Sequence, residues 1–141
     1  MAGATQGSQA VLIGVHRGTE VCDGAGAILC GGPFPNLVME YFPIADVRAR
    51  LEAEKGGWEV VHESPNLEVG VLVRVAPTPD PPVRHAADEV YVVLAGEATL
   101  EADGESRRIK PGDAAFVAVG KEHHFVDYEL ISVLVLFARG G

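Results

Sequence analysis

After Trp58 the chain reads as short apolar runs separated, at close and regular intervals, by residues that turn a backbone. "WEVVHE" (58–63) meets "SPN", and "LEVGVLVRVA" (67–76) meets the stiff "PTPDPP". "EVYVVLAGEATLEA" (89–102) runs to "DG" at 103–104, a tight-turn pair. "ESRRIK" leads to "PGD" at 111–113, "AAFVAV" (114–119) to "GKEHHF", and "LISVLVLFA" (130–138) follows. Short strands at such spacing, with turn residues between them, predict a β-sandwich or a closed barrel. There is no internal repeat and no interdomain linker.

One helix is expected in the N-terminal third, over "PIADVRARLEAEKGG" (43–57). Ile44, Val47 and Leu51 recur at helical spacing, Pro43 suits the start and Gly56 the stop. Asp46 early and Lys55 late suit the helix dipole. Before it, "AVLIGVH" (10–16) is a possible strand, and "CDGAGAILCGGPF" (22–34) is a glycine-rich breaker. No Gly-Lys-Ser/Thr follows that loop, so it is a poor phosphate cradle. Length favours one domain, with residues 41–141 as the barrel and 1–40 packing on it or exchanging with a neighbour.

Composition narrows the partners. A formal charge of −9 argues against nucleic acid and anionic membranes, which need a basic patch; "RR" at 107–108 is the densest basic spot. Cys22 and Cys30 are too few for a disulfide scaffold and do not have zinc-pair spacing. The first residues lack the basic and apolar regions of a secretory signal, and no apolar run reaches the roughly 18 residues of a bilayer span. A cytoplasmic protein is expected.

The chemistry concentrates in "VRHAADEVYVVLAGE" (83–97). In an extended strand His85, Glu89, Tyr91 and Val93 share one face. A second imidazole can come from "GKEHHF", but adjacent strand residues face opposite ways, so only one of His123 and His124 can join. Two histidines and a carboxylate make the facial set that holds non-haem iron with open positions, and zinc accepts it too.

These residues also carry a family resemblance. His85, three residues, Glu89, "VYVVLA" and Gly96 resemble the later part of the first cupin motif. Gly112, "DAAFV", "AVG", "KE", His123, "HFV" and Asp127 follow the second. In this register His123 is the ligand and His124 its outward neighbour. Two departures stand out. Val83 occupies the place of a usual histidine, leaving three of four protein ligands. Ala118 and Asp127 replace a proline and an asparagine.

The resemblance implies a cupin-type jelly-roll β-barrel, all-β, with a small-molecule pocket inside and a homodimer as the usual assembly. It implies one divalent transition metal (Fe, Mn, Ni or Zn) on His85, Glu89 and His123. The expected function is a metal-dependent enzyme of oxygenase or isomerase type acting on a small polar metabolite. The alternative is a cupin that binds a small ligand without turnover. No catalytic residue can be named from the sequence.

Tyr91, Phe125 and Arg74 are candidates to line the pocket. Arg74 lies on an otherwise apolar strand; facing inward it would need an anionic partner, such as a substrate carboxylate, and the outward face is the simpler reading. Val93, Phe116 and Leu136 are expected to pack in the core. His62 and His124 are expected to face solvent, with Asp127 bonding to backbone at its turn; His16 has little support as a ligand.

Overall fold

The computed structural model describes residues 38–140. The readings of 10–16, 22–34, His16 and the two cysteines, and the packing or exchange of 1–40, lie outside the described residues. The elements are α1 (Ile44–Ala53), β1 (Gly57–Glu63), β2 (Leu67–Val75), β3 (Glu89–Gly96), β4 (Ala98–Ala102), β5 (Glu105–Ile109), β6 (Ala114–Val117), β7 (His123–Val126) and β8 (Leu130–Ala138). The strands pair antiparallel in two sheets, ordered β1-β2-β8-β3-β6 and β5-β4-β7. The sheets are not closed into one continuous hydrogen-bonded barrel; they face each other as a two-sheet jelly roll.

The larger sheet is covered on both faces. Toward the small sheet, Tyr91 and Val93 on β3 and Ile131, Val133 and Val135 on β8 pack against Leu100 and Phe125. On the other side Val47 and Leu51 of α1 sit on Val71 and Val73, with Leu130 and Leu134 beside them. A strand buried on both faces loses its polar alternation, which is why β2 and β8 read as nearly continuous apolar runs. The buried Ser132 hydroxyl donates to Glu52 Oε2 of α1 at 2.7 Å.

Helix α1 ends four residues before the expected limit at Gly57. Lys55 already takes a left-handed conformation (φ +67), and Gly56 N–H donates back to the Leu51 carbonyl at 2.9 Å. β1 then begins at Gly57. The single strand expected over 89–102 is two strands. Gly96 (φ +75) turns the chain from one sheet into the other, and a Cβ there would stand 1.9 Å from the Leu130 carbonyl oxygen. The motif glycine is thus required by a close backbone approach. The "DG" turn is as expected, with both residues at positive φ.

Of the three residues expected in the core, Val93 is buried and Leu136 half-buried, but Phe116 is 63% exposed. Phe116 lies on β6, at the edge of the larger sheet, and its neighbour Val117 takes the inward position. One residue of register puts the aromatic outside.

Candidate metal centre

Glu89 opens β3 on its inward face and is 2% exposed. His123 opens β7 on the opposing sheet, also 2% exposed. Its partner across an isolated antiparallel bridge is Val83, with both N–H···O contacts at 3.0 Å. That bridge lays the 83–85 segment beside β7, and Gly120 N–H donates to the His85 carbonyl at 2.9 Å. Residues 85–93 are not extended throughout, as the sequence reading assumed: the chain bends at Ala86 and Ala87. Asp88 ends the bend by accepting the Val119 N–H at 2.8 Å on its side chain and the Ala138 N–H at 3.0 Å on its carbonyl. His85 and Glu89 therefore meet through a loop, not through strand parity.

One ligand atom from each of His85, Glu89 and His123 lies within 4.8 Å of the others. His123 Nε2 is 2.7 Å from Glu89 Oε1, and His85 Nε2 is 4.0 Å from the same oxygen. His85 is half-buried, with its ring 4.9 Å from Phe137 and 5.3 Å from His123, so the group opens on the His85 side. His123 Nδ1 lies 2.8 Å from the Lys121 carbonyl. That contact makes Nδ1 the protonated nitrogen of a neutral ring and leaves the Nε2 lone pair facing the carboxylate. A backbone carbonyl holding a histidine in this way is the usual support of a metal ligand.

Glu89 Oε2 and His123 Nε2 are buried without a hydrogen-bond partner. The Nε2 lone pair faces Glu89 Oε1 at 2.7 Å, and two acceptors so close in a dry site are costly unless a proton or a cation lies between them. Burial works against charge on His123, but the Glu89 carboxylate and the Lys121 carbonyl outweigh it, so its pKa is raised above 6.5. The site favours a positive charge between these groups, and the nitrogen–oxygen donor set suits a divalent transition metal.

The group opens on a cavity of about 730 Å³, walled by Trp58, Leu72, Val135 and Phe137 and bearing Arg74, Asp80, Val83, His85 and Tyr91. Val83 thus lines the same cavity as His85. Tyr91 is buried; its hydroxyl is held protonated by burial and by the charge of Glu89. Arg74 faces the cavity, contrary to the outward reading, because Asp80 gives it a partner at 2.7 Å. Phe125 is not on the cavity wall: 1% exposed, it packs edge-on beneath Tyr91 at 5.1 Å. His124 is not fully solvent-facing either. It is half-buried, with its ring nitrogens 3.2 Å from the Asp80 carbonyl and 3.0 Å from Glu101 Oε1. His62 is half-buried against Phe42. Asp127 is a backbone position at φ +55, where its carbonyl accepts from Arg108 at 2.6 Å.

Asp80 and Trp58 were not singled out by the sequence reading. Asp80 sits between prolines in a segment legible only as a stiff loop. Trp58 lies over Gly70, where any Cβ would come within 2.1 Å of the indole; a glycine inside an apolar strand is the available signal of such an approach.

A family model described as a cupin domain matches residues 71–134. An uncharacterised protein of Streptomyces coelicolor is 31% identical over 101 residues, covering 71% of this chain and 96% of that protein. A solved structure of the DMSP lyase DddQ from Ruegeria pomeroyi superposes with a TM-score of 0.56 at 26% identity, covering 75% of this chain and 58% of that one. KdgF from a Halomonas species superposes with a TM-score of 0.53 at 23% identity, covering 62% and 82%. Family model and fold agree: this chain belongs to the cupin superfamily.

Proposed function

We propose that this cupin is a metal-dependent enzyme acting on a small polar metabolite held in the cavity. The observation that carries this reading is the pair of buried, unpartnered acceptors, Glu89 Oε2 and His123 Nε2, beside His85 at the cavity wall. Fe, Mn, Ni and Zn all suit this donor set. A bound ion would act as a Lewis acid toward a substrate oxygen and leave positions open for it.

The chain's own residues supply the rest. His123 is locked by Lys121, so its Nε2 needs no reorientation. The protonated Tyr91 hydroxyl is a hydrogen-bond donor at the cavity wall beside Glu89. Trp58, Leu72 and Phe137 exclude water around the ligand's body. Oxygenation and isomerisation both suit such a site. The similarity to a DMSP lyase adds elimination to these reaction classes.

Metal analysis of protein purified without a histidine tag tests the reading. About one transition metal per chain is expected, released by Glu89→Ala and by His123→Ala but not by His124→Ala. Metal-free protein in metal-supplemented buffer overturns it. One observation favours a second reading, a binder without turnover: Val83 presents an apolar side chain beside the site where a fourth ligand would stand. A cavity that takes small ligands but never metal is the result that selects it.

A further inference from the structure

Arg74 is the cavity group that the metal reading leaves unused. It lies on β2 in the inward register of Leu72, opposite Ile131 of β8. Its Nε donates to Asp80 Oδ1 at 2.7 Å. The other Asp80 oxygen accepts the Phe125 N–H at 2.8 Å. Asp80 is thus clamped at both oxygens, and its loop is tied down by the Tyr128 hydroxyl donating to the Thr78 carbonyl at 2.6 Å. Held at Nε, the guanidinium keeps two terminal nitrogens, and neither makes a hydrogen bond among the described residues. Arg139, the other guanidinium at the cavity, is already shared between Glu63 at 2.8 Å and Glu68 at 2.9 Å. Four unused N–H donors on a fixed planar cation, facing a cavity with aromatic and aliphatic walls, match a carboxylate on an apolar body.

We propose that Arg74 is a carboxylate-binding subsite, positioned by Asp80, and that the cavity takes small organic acids. This deepens the metal-enzyme reading, resting on it only for what the ligand's other end meets. Tyr91 lies between the two, close enough to feel the charges of Glu89, Asp80 and Arg74. An acid bound at Arg74 therefore extends past Tyr91 toward His85 and Glu89.

Trp58 is the chain's one tryptophan and lines the cavity, so its fluorescence reports occupancy. The probes are phenylacetate and its neutral isostere phenylacetamide, titrated into the protein as purified and after chelation. Phenylacetate should bind about tenfold tighter or better, the worth of charge-assisted hydrogen bonds. Arg74→Gln should abolish the preference, and chelation should leave it intact. Arg74→Lys keeps the charge without the planar fork and should reduce the preference; it serves as the test if the glutamine variant does not fold. Equal affinities, no saturable phenylacetate binding, or a preference that survives Arg74→Gln overturn the subsite. A preference lost on chelation but kept in Arg74→Gln puts the carboxylate on the metal, overturning the subsite while sustaining the metal reading. A preference lost only at Arg74, in protein that never holds metal, sustains the subsite and removes the metal reading.

Discussion

Between Glu89 and His123 a proton and a bound metal would compete for one lone pair. His123 has its pKa raised above 6.5, because the nearby carboxylate and carbonyl outweigh burial. In metal-free protein the stabilisation from the charged ring is therefore fully present below the unfolded value. It is lost as pH rises through the folded value. Metal needs the neutral ring, so its affinity has the opposite trend. Thermal stabilisation by added Zn(II) is expected to be small at about pH 5.5 and to grow as pH passes the folded His123 value. A stabilisation that does not vary with pH would show that His123 is not a ligand. Val83 gives a second test. It shares the cavity with His85, so Val83→His adds an imidazole beside the existing donors. Each added nitrogen donor raises affinity for late first-row ions. Metal titration should show tighter binding than in the wild type, and any turnover should slow as an open position fills. Unchanged affinity would mean that the residue 83 side chain cannot reach the site.

Strands are where the sequence spoke most clearly. β2 and β8 were legible almost to the residue, because nine-residue apolar runs between turn residues admit few other readings. Their pairing was not legible: β8 is inserted between β2 and β3, a long-range choice that no local pattern records. The site was legible as residue types and motif spacing, and its ligand candidates were brought together. His85 reaches Glu89 through the bend at Ala86 and Ala87 and not through strand parity, and the sequence does not show that bend. Arg74 was read as outward because its partner lies six residues on, in a loop whose path the sequence does not show. Gly96→Ala forces a Cβ to within 1.9 Å of the Leu130 carbonyl at a positive φ. Since the clash is with backbone, β8 must shift, and a loss of about 3 kcal/mol or more is expected in urea unfolding. Gly104→Ala, at positive φ but with nothing within 4 Å, should cost only about 1 kcal/mol. Equal losses at the two positions would remove the close approach as the cause.

The three candidate ligands come from both sheets and from the 83–88 loop. Glu89 belongs to the five-stranded sheet, His123 to the three-stranded sheet, and His85 to the loop bridged to β7 through Val83. No ladder joins the two sheets directly; they meet through side-chain packing, through the chain's crossings between them, and through Asp80, which accepts from Arg74 of β2 and from the Phe125 N–H of β7. A metal held by all three residues is a cross-link between the sheets, present only in the folded state. Binding to the native state alone stabilises it by RT ln(1 + [L]/Kd), or about 2.7 kcal/mol at a hundredfold excess over Kd. For a domain of this size that corresponds to a rise of roughly 10–20 °C in Tm. Chelation should reverse the whole rise, and Glu89→Gln should abolish the response to metal while retaining a folded, strand-rich spectrum. The loss on chelation should appear as one cooperative transition, because the sheets share a single core and separating them exposes it. If metal instead raises Tm equally in wild type and in Glu89→Gln, the ion binds elsewhere and does not cross-link the sheets through Glu89.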